Sequence, residues 1–373
     1  MTGTAETAAA AEAVTRDPAL TRSDLAGPGI RRRRCGRGFR YTAPGGAPPN
    51  AVALARIKGL VIPPAWEDVW ICPAPDGHIQ AVGTDDAGRR QYLYHPRWRE
   101  RRDREKFDRM LEFGRALPRI RSVVGRHLRG RGLRRERVLA AATRLIDLGF
   151  FRAGGEEYAA RNGSFGLATI RRDQVTCSKG EITFDYTAKS GRHREQAVVD
   201  GDVYGLVRSL RRRRSCPDID DLLVYRSGKR WHNVTAADIN DYLSEISGAD
   251  FTAKDFRTWH ATVLAAVGLA VSEPAAGSQA ARKRAVARVV REVAGYLGNT
   301  PAVARASYID PRVIELYAEG VTIAPALGDL GKGREFGDAA TEGHAERAVL
   351  DLISSGGGGD RERARFALDA DPA

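Results

Sequence analysis

The chain has 373 residues, enough for two domains that each bury a core. With 60 Lys and Arg against 47 Asp and Glu, its formal net charge is +13, which points to a polyanionic partner such as nucleic acid. The cysteines, Cys35, Cys72, Cys177 and Cys216, are scattered without metal-ligand spacing, so neither a zinc site nor a disulfide framework is expected.

Residues 1–27 are Ala-rich and polar without sustained periodicity, which predicts a disordered tail. Glu6 and Glu12 interrupt the alanine run and no basic leader precedes it, so it is a poor secretion signal. No later stretch has the length of a membrane span, and the expectation is a cytoplasmic, nucleoid-associated protein with no membrane partner. The run Arg31–Arg34 reads as a solvated basic face. Strand signals follow at 69–72, 78–82 and 91–94, separated by turns at Asp76-Gly77 and Asp86-Ala87-Gly88. They predict a small antiparallel sheet, closed by a charged helix from about Pro96 to Leu117, together a domain over 28–117.

A second domain is expected over 118–325. Val138, Leu139, Ala142, Leu145, Ile146 and Gly149 form one helical stripe that ends between Gly149 and Gly154. Strand signals at 181–186 and 196–199 predict a hairpin with Lys189 in or next to its turn. Arg211–Arg214 reads as a second solvated basic face, and the acidic run Asp218, Asp220 and Asp221 as a helix start rather than a metal site. From Thr235, an N-cap, the chain looks helical, with helices over 254–272, 280–297 and 310–319. Thr300-Pro301 is a cap followed by proline at the first helical position, which starts a short helix carrying Tyr308. Residues 326–373 are expected to be linker and tail, with one helix over 340–353. The fold class is α+β: a small N-terminal antiparallel sheet domain, then a mainly helical domain with a small sheet.

Four neighbourhoods carry chemistry. F-F-R-A-G-G-E-E-Y holds Arg152 with Tyr158 behind it, and F-D-Y-T-A-K-S-G-R-H-R-E holds Lys189 at the hairpin tip. T-A-K-D-F-R-T-W-H places Lys254 and Arg257 three apart on one helix face, and G-N-T-P-A-V-A-R-A-S-Y brings Asn299 and Tyr308. Attack on a phosphodiester builds charge on the non-bridging oxygens, needs a proton for the leaving oxygen, and needs a poised nucleophile. A tyrosine, with an unperturbed pKa of ~10, is poised by neighbouring positive charge. Taken singly each residue has an ordinary reading: Tyr308 as an amphipathic tyrosine, Arg152 as a helix cap, Lys189 and Lys254 as solvated lysines. Ser307 is a rival hydroxyl.

The ordered set resembles the type IB DNA topoisomerases of the small poxvirus-like kind, in particular their bacterial branch. The resemblance runs from about Gly29 to Glu319 and includes I-R-R-R-R-C-G-R-G-F-R-Y, I-P-P-A-W-E-D-V-W-I-C-P and G-R-R-Q-Y-L-Y-H-P-R-W-R. It implies the fold shared by tyrosine recombinases and topoisomerases IB, and an active site of Arg152, Lys189, Arg257, Asn299 and Tyr308. It also implies a 3′-phosphotyrosyl intermediate, no ATP, metal or other cofactor, and a monomer clamping double-stranded DNA. DNA contacts are expected from Arg89, Arg90, Gln91, Tyr92, Tyr158 and Lys254. By strand parity Tyr92 and Tyr94 share one face and Gln91 takes the other; a glutamine on a strand in the major groove can read adenine. Asn299 stands where the poxvirus enzymes have histidine, and an amide donates a hydrogen bond without passing a proton. The alternatives are a tyrosine recombinase-like strand transferase and a non-catalytic DNA-binding protein.

Overall fold

The computed structural model describes residues 20–213, 219–272, 277–329 and 343–356, with the side chains of 157, 158 and 329 outside that description. The chain divides into two units, Met1–Lys106 and Phe107–Ala373. Among the described residues no helix is long and apolar enough to cross a membrane.

The first unit is built on a five-stranded antiparallel sheet in the order β2-β1-β3-β4-β5. Its strands are β1 (Ile30–Cys35), β2 (Gly38–Thr42), β3 (Glu67–Ile71), β4 (Ile79–Thr84) and β5 (Arg90–Tyr94). Helix α1 (Ala51–Gly59) is capped by Asn50, whose Oδ1 accepts from the Ala53 N–H at 2.8 Å. Ile30, Ile57, Ile62, Val69, Ile71 and Ala81 form one core cluster, and Trp70, Cys72, Ile79 and Val82 a second. Residues 20–27, part of the expected tail, are held to the sheet. Thr21 bridges to Gly77, the Ser23 hydroxyl bonds both backbone groups of Ile79, and Trp70 Nε1 donates to the Gly27 carbonyl.

The arginine run Arg31–Arg34 is β1, and it is not a solvated face throughout. Strand alternation turns Arg32 inward, where it is 8% exposed. Its guanidinium donates to the carbonyls of Ile62, Pro63 and Trp66 at 3.2, 3.0 and 2.6 Å and lies 4.2 Å from the centre of the Phe39 ring. Arg213 corrects the second basic run in the same way. It is buried and donates to the carbonyls of Leu210, Leu222, Ile219 and Asp221. Arg214 and Asp218 lie outside the described residues. Asp220 and Asp221 start no helix; they accept from Arg171 at 2.9 Å and from Asn233 Nδ2 at 2.7 Å.

The helix expected to end at Leu117 runs on as α2 (Pro96–Leu128), through Pro118. Its buried stripe continues past the proline with Ile120, Val124 and Leu128. Each such side chain contributes about 1.5–3 kcal/mol on burial, which together exceeds the roughly 3 kcal/mol an interior proline costs. The second unit then adds α3 (Arg135–Gly149), α4 (Glu156–Asn162) and a three-stranded antiparallel sheet, β6 (Val175–Ser178), β7 (Glu181–Ala188) and β8 (Arg192–Val199). Next come α5 (Gly201–Arg211), the hairpin β9 (Val224–Ser227) and β10 (Arg230–Asn233), and α6 (Ala236–Ser247). Thr235 and Asp238 form a reciprocal capping box on α6. The helices α7 (Ala253–Ser272), α8 (Gln279–Leu297), α9 (Pro301–Ser307) and α10 (Pro311–Ala318) follow, each within a residue or two of the expected bounds where the sequence assigned them. Beyond the expected linker, α11 (His344–Gly356) buries Ala345, Val349 and Ile353 in the main core.

The inward turn of Arg32 predicts unequal effects along one arginine run. Arg32→Ala removes the donor from three carbonyls, of which only that of Pro63 keeps another among the described residues, the Trp66 N–H, and should lower the unfolding free energy of this unit by about 2–4 kcal/mol, against about 0.5 for Arg31→Ala. Urea titrations followed by tryptophan fluorescence would measure both, and equal effects would contradict the inward placement.

Candidate active site

Tyr308 stands at the C-cap of α9, with its N–H bonded to the Ala304 carbonyl at 3.0 Å. Its own carbonyl accepts from the Thr262 hydroxyl on α7 at 3.2 Å, and the same hydroxyl accepts from the Asp310 N–H at 3.1 Å. The backbone carrying the phenol is therefore fixed to the helix that carries Arg257.

Arg257, in the second turn of α7, is 3% exposed. Its Nη1 donates to the Phe150 carbonyl and its Nη2 to the Leu297 carbonyl at 2.7 Å. Phe150 is the C-cap of α3 and Leu297 the last residue of α8, so two helix C-termini turn partial negative charge towards one cation. The guanidinium carbon lies 5.6 Å from the centre of the Tyr308 ring.

The turn that ends α8 sets the next residue. Gly298 adopts φ +62, its N–H and that of Asn299 return to the last turn of the helix, and the Asn299 side chain then accepts from Arg152 Nη2 at 2.6 Å. With Oδ1 committed, Nδ2 is the free donor, and it is buried without an acceptor among the described residues, as is Nε of Arg257. Arg152 is placed by its backbone: its carbonyl accepts from the Leu167 N–H at 2.8 Å, and Ala153 accepts from Ala168 at 2.7 Å. That pairing brings Gly154 and Gly166 into contact, since a Cβ on Gly154 would lie 2.9 Å from the Gly166 Cα. Only glycine allows so close a backbone approach.

Lys189 is exposed in the tight turn Lys189–Gly191 between β7 and β8, where Ser190 and Gly191 take φ of 66 and 69. It lines an open cleft of about 780 Å³ together with Arg152, Arg194, Tyr296 and Gly298. Lys254 is exposed on the first turn of α7, and its charge reaches the Tyr308 phenol. Burial alone would raise the phenol's pKa, but Arg257, Arg152 and Lys254 outweigh it and the net shift is downward from 10.0. For Arg257, burial first and then the charge of Arg152 lower the pKa to about 10, which leaves it cationic at neutral pH.

Arg152, Arg257, Asn299 and Tyr308 are thus in one place, with Lys189 across the same cleft as Arg152. Of the expected DNA contacts, Arg89 pairs with Asp85 at 2.8 Å and Gln91 donates to the same carboxylate at 2.8 Å. Gln91 is therefore occupied in the free protein. Tyr92 and Tyr94 project together, their rings stacked at 6.1 Å, with Arg90 over Tyr92 at 5.9 Å. The side chain of Tyr158 lies outside the described residues. Among the described residues no cluster of His, Cys, Asp or Glu has the makings of a metal site. Sequence reasoning missed Arg194, whose guanidinium enters the same cleft from β8. The only trace in the string was alternation, since Arg192 and Arg194 share a strand face with the buried Val198.

A tyrosine hydroxyl against a buried guanidinium, flanked by a second arginine and a fixed amide donor, defines a site suited to nucleophilic attack on a phosphodiester. Residues 95–321 match the family model of the catalytic core of eukaryotic DNA topoisomerase I, and residues 38–85 match that of the N-terminal domain of bacterial DNA topoisomerase IB. A DNA topoisomerase 1B of Acanthamoeba polyphaga mimivirus is 30% identical over 272 residues, covering 71% of this chain and 80% of the viral protein. The DNA topoisomerase 1B of vaccinia virus (strain Copenhagen) is 19% identical over 235 residues, 63% and 71% of the two chains. The chain belongs to the type IB DNA topoisomerases.

The lowered phenol has a direct check. The difference in phenolate absorbance between the free protein and Tyr308→Phe should titrate with a midpoint below that of free tyrosine. In a Lys254→Ala background the midpoint should move up, because one of three cations is gone. A midpoint at or above 10 in the unmodified protein would contradict the electrostatics described.

Proposed function

We propose that this topoisomerase relaxes supercoiled duplex DNA by cutting and resealing one strand with Tyr308 as nucleophile. The phenolate attacks phosphorus, a 3′-phosphotyrosyl bond forms, and the bond to the 5′-oxygen breaks. Lys189 delivers the proton that this oxygen needs as it leaves, with Arg152 in its relay. Arg152, Arg257 and Asn299 hold the charge that grows on the non-bridging oxygens. The phosphotyrosyl link conserves the phosphodiester's energy, so resealing needs no ATP and no cofactor. Between the two steps the free 5′ end swivels and torsion is released.

The observation that carries this reading is the packing of Tyr308 against Arg257, a buried cation held by carbonyls rather than by carboxylates. A non-catalytic DNA-binding protein has no use for a buried cation against a tyrosine. A recombinase-like transferase would share the chemistry but must bring two duplexes together. We further propose that the protein acts as a monomer that closes on the duplex in the nucleoid. Arg89, Arg90, Gln91 and Tyr92 contact the DNA from the first unit, and Tyr158 and Lys254 from the second. Gln91 then exchanges its bond to Asp85 for a base edge.

Pure protein should relax a negatively supercoiled plasmid in EDTA without ATP, and Tyr308→Phe should bind the plasmid but leave it supercoiled. Arg257→Ala should slow single-turnover cleavage by about 10²–10³. Relaxation that survives in Tyr308→Phe would overturn the assignment of the nucleophile. Binding should weaken steeply with salt, log K falling by about 0.9 per neutralised phosphate for each unit of log salt concentration. A flat response in a filter-binding titration would exclude closure on the duplex backbone.

A further inference from the structure

Arg194 follows Lys189 by five residues and enters the cleft from β8. Two bonds hold its guanidinium: Nη2 donates to the Tyr296 carbonyl at 2.6 Å and Nε to Gln196 Oε1 at 3.3 Å. Its Nη1 has no acceptor among the described residues. The position of a Cβ on Gly298 would lie 3.0 Å from Arg194 Nη1 and 3.8 Å from Arg152 Nη1. Both guanidiniums therefore converge on one point, directly before Asn299. One phosphate can span them, given N–H···O contacts of about 2.9 Å.

Among the described residues the cluster lacks counter-ions. Glu195 and Glu292 line the cleft, yet among the described residues no carboxylate stands within ion-pair distance of Arg152, Arg194 or Arg257. Burial first, and then the charges of Arg152 and Arg194, disfavour the charge on Arg257; on Arg194 burial and the charge of Arg152 act in the same direction, against Tyr186. Like charges packed together without a partner are costly to the fold and mark an anion site.

We propose, on the reading of Tyr308 as the strand-cleaving nucleophile, that Arg194 is a third guanidinium ligand of the attacked phosphate. Its Nη1 shares with Arg152 the charge that develops on the non-bridging oxygens. The rival role is mechanical, since the bond to Tyr296 also props the end of α8 and hence Asn299.

Single-turnover cleavage of a duplex that releases the downstream fragment, the one with the new 5′-hydroxyl, separates the two. Arg194→Ala, Arg194→Gln and Arg194→Lys would be compared with the unmodified protein on a phosphodiester and on a neutral methylphosphonate at the cleaved position. Arg194→Ala and Arg194→Gln should each slow cleavage of the phosphodiester by about 10² while DNA binding changes little. Arg194→Lys should recover about tenfold, because the charge returns without the fork. On the methylphosphonate the Arg194→Ala loss should shrink to a few-fold, since the charge that Arg194 would meet is absent. The proposal is overturned if Arg194→Ala cleaves at the unmodified rate. Equal rates for the Gln and Lys variants, or the same loss on both substrates, also overturn it and leave Arg194 as a prop for Tyr296. If the unmodified protein does not cleave, or Tyr308→Phe does, the reading of Tyr308 fails and this proposal with it.

Discussion

The second unit is organised around one side chain, the guanidinium of Arg257. It ties the end of α3 to the end of α8 through the carbonyls of Phe150 and Leu297, and it lies against Tyr308. A cation 3% exposed, with no carboxylate beside it among the described residues, would ordinarily be too costly to bury. Two helix C-termini, each worth about half a negative charge, make the difference. A carboxylate in their place would neutralise the cation and compete with a phosphate for it. Carbonyls stabilise the charge and leave it available. Phe150 meets the requirement by accepting φ 54, a left-handed conformation uncommon for a non-glycine residue.

Behind this arrangement a second network, this one built on carboxylates, fixes α3 and α7. Arg121 holds Asp147 at 2.8 and 3.0 Å and Glu346 at 2.6 and 3.0 Å. His260 bonds Asp147 at 2.9 Å, and Trp259 Nε1 donates to Glu346 at 3.1 Å. Asp147 belongs to the last turn of α3, Trp259 and His260 follow Arg257 on α7, and Glu346 belongs to α11. The His260 ring meets the edge of Phe150 at 5.4 Å, so the network supports the residue whose carbonyl holds Arg257. Here carboxylates enclose the cation, whereas among the described residues none meets the cations on the cleft side. Removing one member would leave others buried without partners, the costly case for ion pairs, so α11 is bound to the core by more than its apolar stripe.

Much of this was legible because the signals are local. Thr235 with Asp238, Ser278, and Thr300 before Pro301 all cap where the sequence says a helix starts. The Lys189 turn falls between the two strands expected to flank it. What stayed hidden depends on partners distant in sequence. In I-R-R-R-R-C alternation turns successive side chains to opposite faces, but parity alone does not say which arginine is buried, and no pattern announces the carbonyls of Ile62, Pro63 and Trp66. Pro118 marks a helix end by propensity and is overruled by packing on both sides of it. Gln91 has the right face to read a base, yet Asp85 claims its amide. Arg194 looks like one more arginine in a basic chain until α8 brings Tyr296 and Gly298 to it.

Asn299 follows from the same electrostatics. Poising a phenol below its ordinary pKa takes positive charge, and Arg257, Arg152 and Lys254 already supply it at the expense of repelling one another. A histidine at position 299 would add a group that titrates near neutrality, and its charged form would have to join that cluster. Asparagine supplies a donor with no charge at any pH. Its Oδ1 accepts from Arg152 and so relieves part of the guanidinium's need for an acceptor, while the same bond orients Nδ2 away from it. The substitution exchanges a proton-carrying group for a fixed dipole. If Lys189 does the proton work, as proposed, hydrogen-bond donation is the part of histidine's chemistry that has to be kept.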